Sequence, residues 1–210
     1  MTISNWMHLL IQQLRATGWI EWLAVGFGVA EVLLARVNKV ALYPAGIAGT
    51  LLSIYLFITS GLYAESLLNF YYVIMSIYGW WYWYRKKNEP PVPITYTNRK
   101  EWKTVAGIVV GGFIFLYFIL KNFTPSTVPF WDAFVSATAW AGMWLLAKRK
   151  LENWILLNIS NAVAIPLLFY KHLAMYSVLT IFLFIVAVQG FFEWKKMIQK
   201  NTAQRKPVKA

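Results

Sequence analysis

The sequence contains no cysteine and only two histidines, His8 and His172. Disulfides, thiolate metal sites and cysteine nucleophiles are therefore excluded, and a histidine metal site is not expected because both histidines lie at a loop or terminus. No G-x-x-x-x-G-K-[ST] segment is present, so ATP hydrolysis is not built into the chain. No serine stands in a nucleophile-elbow setting, and no paired carboxylates face each other at a readable spacing. We expect no catalytic residue, no metal and no cofactor.

Charged residues are also scarce, at 13% of the 210 residues, whereas hydrophobic residues make up 59%. Apolar runs close to the roughly 20 residues that cross a bilayer occur repeatedly. The sequence therefore predicts an all-α membrane protein with seven transmembrane helices, and 1–210 as a single membrane domain without a soluble catalytic part. The spans are predicted at residues 19–36, 41–59, 63–84, 102–122, 130–147, 153–171 and 175–195.

The residues before the first span have their own pattern. Trp6, Leu9, Leu10 and Leu14 share one face of a helix if this segment is helical. An amphipathic segment of this kind indicates a short helix lying at the membrane surface. A frayed terminus is the alternative.

Positive charge is distributed very unevenly between the predicted loops. Nearly all of the 20 Lys and Arg residues follow spans one, three, five and seven, whereas the opposite side has only Arg15, Lys121 and Lys171. Basic loops stay cytoplasmic. We therefore expect the N-terminus outside and the C-terminus in the cytoplasm. The net charge of +12 is interpreted as a topology signal, with no nucleic-acid partner.

The chain partly matches itself, without a gap, when it is shifted by 111 residues. This match predicts a first three-helix repeat at 19–87, a linking helix at 102–122 and a second repeat at 130–197. Because the linking helix carries the chain back across the membrane, both repeats run in the same direction. Parallel repeats of this kind occur in transporters that hold a substrate between them. The matched pairs include Glu21 with Asp132, Lys39 with Lys150, Tyr43 with Trp154, Gly79 with Gly190 and Trp83 with Trp194.

Polar side chains recur along faces of the predicted spans. Trp154, Asn158 and Asn161 stand at i, i+4 and i+7, which is one face of an α-helix. Amides beside aromatic rings suit a planar, neutral or mildly cationic heterocycle, and a sugar would accept the same lining. The alternative is that the amides join helices to one another. The candidate substrate-binding residues are Asn69, Tyr72, Asp132, Trp140, Trp154, Asn158 and Asn161.

Glu31 is the one carboxylate placed near the centre of a predicted span. An unpaired charge there costs at least about 2.5 kcal/mol, so the group is protonated, paired or hydrated. It is either a proton-coupling site or a buried acid bonded to a neighbouring span. An intramembrane enzyme would have only Glu31, Asp132 and amides to work with, and a non-transporting scaffold would not need polar stripes on several spans.

Four segments together resemble the PnuC family of bacterial vitamin transporters: FWDAF (130–134), KLENW (150–154), LYAESLL (62–68) and SIYGWWYW (76–83). The resemblance covers residues 19–196 with the same order and spacing of spans. It implies a 3+1+3 helix arrangement related to the SWEET sugar transporters, and homotrimers in the bacterial inner (cytoplasmic) membrane. It also implies nicotinamide riboside as substrate, moved by facilitated diffusion (uniport) and trapped inside by phosphorylation. Family relatives that carry thiamine or riboflavin make thiamine the alternative.

The resemblance also assigns roles to individual positions. Asn161 matches a substrate-binding amide of the sixth span, Trp154 lies in the ENW motif and Asp132 in FWD. Two positions depart from the family pattern, since Asn69 stands where the family often has Gln and Gly49 where it often has Asn. We expect Trp154 and Trp140 to stack on the substrate ring, and Asn69, Asn158 and Asn161 to bond its edge or its ribose.

Overall fold

The computed structural model describes residues 3–59, 63–84 and 93–204. This part of the chain forms eight α-helices, which confirms the all-α class. The helices are α1 (Ile3–Ala16), α2 (Trp19–Arg36), α3 (Leu42–Thr59), α4 (Tyr63–Tyr84), α5 (Arg99–Phe123), α6 (Pro129–Ala147), α7 (Asn153–Tyr170) and α8 (Ala174–Gln204). The N-terminal segment is helical, and α2 to α8 coincide with the seven predicted spans to within a few residues, except that α8 continues further. Residues 1–2, 60–62, 85–92 and 205–210 lie outside the described residues, and they include the end of the predicted first repeat at 85–87.

Length and apolar composition identify several membrane-crossing helices. Within the described residues, α3, α5, α7 and α8 are each long and apolar enough to cross a membrane. Helices α1 and α2 meet at 107° and qualify only when the bent pair is counted as one span. Helix α2 contains three charged residues, and α4 is rich in Tyr and Trp, which lowers its hydropathy. The chain is therefore a multi-pass membrane protein, and the crossing of the membrane by α2, α4 and α6 stays a prediction.

Helices α2 to α8, with the exception of α5, form a closed ring. Helices α2, α3 and α4 pack in succession, as do α6, α7 and α8, and the two triplets meet where α4 contacts α6 and α8 contacts α2. Helix α5 lies outside this helix ring against α6, and α1 lies against α8. In the described part of the chain, the backbones of helices on opposite sides of the ring do not come into contact. Only side chains therefore enter the interior of the ring.

Local sequence signals explain how several helices begin and pack. Helix α5 starts with a capping box, in which the Asn98 side chain accepts from the Glu101 amide at 2.9 Å and the Glu101 carboxylate accepts from the Asn98 amide at 2.9 Å. Pro129 occupies the first turn of α6, where its missing N–H costs nothing. Gly49 lets α3 approach α2 closely, because a Cβ there would lie 3.0 Å from Phe27.

The two triplets are joined by tryptophan side chains at one end of the ring. The Trp83 indole on α4 donates a hydrogen bond to the Ala147 carbonyl at the end of α6, at 3.1 Å. The Trp194 indole on α8 donates to the carbonyls of Ala35 and Arg36 at the end of α2, at 3.0 and 3.2 Å. We call this pair of interactions the indole latch. Each half of the latch runs from one triplet to the other, and the two halves are 111 residues apart in the chain.

Each latch tryptophan also contacts an aromatic ring on the middle helix of its own triplet. Tyr43 of α3 meets Trp83 edge-on, with centroids 5.1 Å apart and planes at 89°. Trp154 of α7 meets Trp194 in the same way, at 5.6 Å and 87°. The four rings therefore form two matching pairs in a buried core at this end of the ring. The Tyr43 and Trp154 rings rest on glycines at matching positions, Gly79 and Gly190.

The turns that follow α2 and α6 share one backbone conformation. Asn38 and Arg149 both adopt left-handed φ angles, 57° and 55°. The Arg149 guanidinium donates to the Asn38 side-chain oxygen at 2.7 Å and lies 3.7 Å from the Trp83 ring centroid. Burial lowers the pKa of Arg149 to about 10, so the group remains protonated at neutral pH. We call this end of the ring, which carries Arg149 and the indole latch, the basic end.

Replacing Trp194 with Phe removes the indole donor and leaves the carbonyls at the end of α2 without it. We expect the Trp194→Phe substitution to lower the free energy of unfolding by about 2 kcal/mol, because a buried hydrogen bond and packing are lost together. Trp102→Phe, at an exposed position on α5 (42% exposed), is the matched control, with an expected change of at most about 0.5 kcal/mol. Denaturant unfolding in detergent measures both, and equal values for the two variants would contradict the latch.

Candidate substrate passage inside the helix ring

Two pockets lie between the helices of the described chain. The first, the Asp132 pocket, has a volume of about 390 Å³ and lies at the end opposite the indole latch, between α4, α5, α6, the segment before α6 and Lys171 after α7. The second, the Glu31 pocket, has a volume of about 410 Å³ and lies between α2, α3 and α8. It runs along α2 from Glu21 to Val32, which packs against the core at the basic end. Both fall within the range of roughly 300–1,000 Å³ that is usual for small-molecule sites.

The Asp132 pocket contains a closed ion pair. Asp132 lies in the first turn of α6, where the helix dipole favours a negative charge. The Lys171 ammonium donates to both carboxylate oxygens at 2.7 Å, and the Ser126 hydroxyl donates to one of them at 2.6 Å. The side chains of Lys171 and Asp132 are 23% and 19% exposed. The charge of Asp132 is thus neutralised within the protein.

An aromatic cluster lies one helical turn further along α4 and α6 than the Asp132 pocket. Trp140 stacks on Tyr71, with centroids 4.4 Å apart and planes at 22°. The Tyr71 hydroxyl donates to the Trp140 backbone carbonyl at 3.1 Å, and Tyr72 packs against the same cluster. The buried Trp140 indole N–H has no hydrogen-bond partner among the described residues. A buried donor of this kind is available to a ligand, because leaving it unsatisfied is costly. Half-buried Asn69 lies on this part of α4.

The direction of Asn161 follows from its neighbours on α7. Leu157 packs against Gly142 of α6, and Trp154 packs against Gly190 of α8. On an α-helix, Asn161 lies on the face between Leu157 and Trp154. That face is turned away from the exposed outer side of α7, so helix geometry predicts that the Asn161 amide points into the ring.

Two predicted site residues occupy other positions. Trp154 is 1% exposed and is enclosed in the buried core at the basic end, so this structure offers its ring face no open space for stacking. Asn158 lies at the contact of α7 with α8 and borders an apolar groove on the outer surface. Its buried Oδ1 has no partner among the described residues. The placement of Trp154 favours packing. Asn158 makes no hydrogen bond to α8 among the described residues, so both its substrate-binding role and the helix-joining alternative stay predictions. The stripe of Trp154, Asn158 and Asn161 extends from the ring interior to the contact with α8. Helical spacing alone does not tell which of these residues faces the interior and which faces α8.

Sequence reasoning missed three partners of the predicted residues. Tyr71 supports Trp140, and Ser126 and Lys171 hold Asp132. The position of Lys171 in the sequence was informative, since it is one of the few basic residues on the side predicted to be poor in positive charge. A cation on that side needs a specific partner, and Asp132 is that partner.

The Glu31 pocket has an unpartnered carboxylate. Glu31 lies over Gly46 of α3, and its buried Oε1 has no hydrogen-bond partner among the described residues. Glu21 lies at the other end of the pocket and accepts a hydrogen bond from the Gly18 amide at 3.2 Å. Among the described residues, Glu31 therefore makes no hydrogen bond to a neighbouring helix, contrary to the alternative of an acid bonded to another span.

Apolar helices arranged around polar side chains define the class of multi-pass membrane proteins. Comparison with known proteins identifies the family within this class. A family model described as "Nicotinamide mononucleotide transporter" matches residues 18–196, and the chain belongs to this family.

Two curated relatives are transporters that are similar over most of their length. The nicotinamide riboside transporters PnuC of Escherichia coli (strain K12) and of Shigella flexneri are each 25% identical to this chain over 202 residues, covering 84% of this chain and 84% of the relative. The crystal structure of the vitamin B3 transporter PnuC has the same fold, with a TM-score of 0.70 and 21% identity, over 92% of this chain and 89% of that one. The chain is a transporter and not an enzyme.

Replacing Asp132 with Asn removes the counter-charge of a partly buried ammonium group. We expect Asp132→Asn to lower the free energy of unfolding by about 1–2 kcal/mol, between the values for exposed and buried ion pairs. Adding Lys171→Gln is expected to restore part of this loss, because no unpaired charge is left. A double-mutant cycle in denaturant measures the coupling, and additive effects of the two substitutions would contradict the ion pair.

Proposed function

We propose that the protein carries nicotinamide riboside into the bacterial cytoplasm by facilitated diffusion (uniport), and that later phosphorylation traps the substrate. The observation that carries the proposal is the family match over residues 18–196, which includes α2 to α7 and most of α8. The curated relatives are named nicotinamide riboside transporters. The absence of a nucleotide-binding motif from the sequence is consistent with transport that uses no ATP.

The proposed architecture has seven transmembrane helices arranged as 3+1+3 parallel repeats, as in SWEET-like proteins. The first repeat spans 19–87, the linking helix is 102–122 and the second repeat spans 130–197. This proposal is supported by the paired latch contacts at a spacing of 111 residues and by the position of α5 outside the ring. The charge distribution favours an inner-membrane orientation with the N-terminus outside and the C-terminus in the cytoplasm.

A homotrimer is also part of the proposal. Helix α5 carries Gly107 and Gly111, where an added Cβ would meet nothing within 4 Å. Two glycines four residues apart on an apolar helix form a face that suits close approach of another helix. Since α5 lies outside the ring, this face is free to meet a second subunit without closing the passage.

The charges in the ring favour a riboside over a phosphorylated nucleotide. A phosphate group needs cationic or backbone donors around it. Lys171 in the Asp132 pocket is already paired with Asp132 at 2.7 Å. The Glu31 pocket is lined by two carboxylates, and none of the described residues that line it is basic. The substrate most compatible with this interior lacks a phosphate.

Within the ring, we assign Trp140, Tyr72, Asn69 and Asn161 to substrate binding. The unpartnered Trp140 indole and the inward Asn161 amide supply donors and acceptors for the carboxamide or the ribose, and the tyrosine supplies an aromatic surface. Thiamine is the second candidate. It likewise carries its positive charge on a flat aromatic ring, and Asn69 departs from the glutamine that is frequent in the family.

Transport of labelled nicotinamide riboside into sealed liposomes that contain the purified protein tests the proposal. We expect the label to equilibrate without accumulation, to be unaffected by an imposed proton gradient, and to be displaced by unlabelled riboside but not by the mononucleotide. We expect Asn161→Leu to reduce the initial rate about tenfold, because the variant leaves a substrate polar group unpaired.

The matched control is Asn122→Leu, the same substitution on α5 outside the ring, and it is expected to transport like the wild type. Accumulation that follows the proton gradient would contradict uniport. Flux of thiamine without flux of the riboside would identify thiamine as the substrate in place of the riboside. An absence of flux for both would contradict vitamin transport.

A further inference from the structure

The glycine at position 46 leaves space on α3 for the Glu31 side chain. Its carboxylate lies directly over Gly46 of α3, where an added Cβ would collide with the side chain. The Oε1 atom is buried and has no hydrogen-bond partner among the described residues. A desolvated carboxylate oxygen without a donor is unfavourable by several kcal/mol. A group held in this way is stabilised by a cation or a donor that arrives from outside the protein.

The second triplet shows that helix packing does not require a carboxylate at this position. The residue 111 positions after Glu31 is Gly142 on α6, and the residue matched to Gly46 is Leu157 on α7. A Cβ added to Gly142 would lie 2.9 Å from Leu157, so the same contact is made there by hydrocarbon. The first triplet therefore has an acid over a glycine where the second has a leucine over a glycine. Packing alone does not explain Glu31.

The charge around Glu31 is uncompensated. The pocket also contains Glu21, and none of the described residues that line it is basic. Arg36, further along α2, is committed to Glu193 at 2.7 Å and to Gln189 at 2.6 Å. In the Asp132 pocket, by contrast, the carboxylate is neutralised by its lysine. Two of the eight acidic residues of the chain thus line one pocket that has no basic residue among its described lining.

We propose that Glu31 is the anionic contact for the fixed positive charge of the transported substrate, and that the Glu31 pocket is a subsite for a small organic cation. The identity of the cation rests on the proposed function, since the pyridinium ring of nicotinamide riboside carries one positive charge. A carboxylate near a flat cation lowers the energy of the bound state in a water-poor pocket. Glu31 is therefore a specificity-determining residue that selects cationic over neutral heterocycles.

Isothermal titration calorimetry with two matched ligands tests the proposal. Nicotinamide riboside is cationic, and its 1,4-dihydro form is neutral with nearly the same shape. In the purified wild-type protein, we expect the cation to bind at least about tenfold more tightly than the neutral form. In the Glu31→Gln variant, which keeps the size of the side chain and removes its charge, we expect this ratio to fall to about one through loss of affinity for the cation.

Two controls separate charge recognition from a structural role. Glu101→Gln makes the same change at a carboxylate on α5, outside both pockets, and is expected to leave both affinities unchanged. Glu31→Asp keeps the charge and is expected to retain a preference for the cation. Thermal unfolding of Glu31→Gln is expected to occur at the wild-type temperature or above, because a buried charge is removed.

Three results would overturn the proposal. Equal loss of affinity for both ligands in Glu31→Gln would show a role in shape rather than in charge. Unchanged binding of the riboside in that variant would remove Glu31 from the site while leaving the proposed function intact. A wild type that binds neither riboside nor thiamine would reject the proposed function and the cation subsite together. Binding of thiamine alone, with the same dependence on Glu31, would support the subsite and reject only the riboside.

Discussion

The structure depends on two indole N–H groups, which donate to backbone carbonyls of the other helix triplet at the basic end. Trp83 reaches the end of α6 and Trp194 reaches the end of α2, so neither triplet is held by its own residues alone. In an apolar solvent these donors have few other partners, which makes hydrogen bonds from one triplet to the other favourable. The latch also fixes where the ring is closed. The Asp132 pocket lies at the other end, and the Glu31 pocket runs along α2 to about one helical turn from the latch.

The bundle combines this closure with polar groups that the protein leaves unsatisfied. Buried atoms of Glu31 in its pocket, of Trp140 where α6 meets α4 and α5, and of Asn158 where α7 meets α8 have no hydrogen-bond partner among the described residues. Such groups are costly in a protein surrounded by lipid. In the proposed transporter, a bound substrate supplies partners to Glu31 and Trp140, whereas the unpaired atoms of Tyr43 and Trp154 belong to the packed core at the basic end. The ion pair of Asp132 with Lys171 shows the opposite solution, in which the chain neutralises a charge internally.

Much of the fold was predictable because bilayer thickness and charge distribution act directly on sequence. The predicted spans coincide with α2 to α8, and Trp83 and Trp194, matched in the sequence, make matching contacts in the structure. The site was less predictable. Helical spacing places Trp154, Asn158 and Asn161 on one stripe but does not tell which part of that stripe meets α8 and which part meets the interior. The pairing of Asp132 with Lys171 depends on how α6 and α7 pack, and a single chain read in order does not contain that information.

Accessibility of engineered cysteines tests the central claim, that the ring interior is a wet passage, most directly. The natural chain has no cysteine, so single replacements give an unambiguous signal. Ser53 and Ser136 line the two pockets, whereas Leu51 lies on the outer face of α3 (50% exposed). In membranes, a charged, water-soluble thiol reagent is expected to modify Ser53→Cys and Ser136→Cys rapidly and to leave Leu51→Cys unmodified. Nicotinamide riboside is expected to slow the modification of the two pocket cysteines. Reaction of the two pocket cysteines no faster than that of Leu51→Cys would contradict the passage.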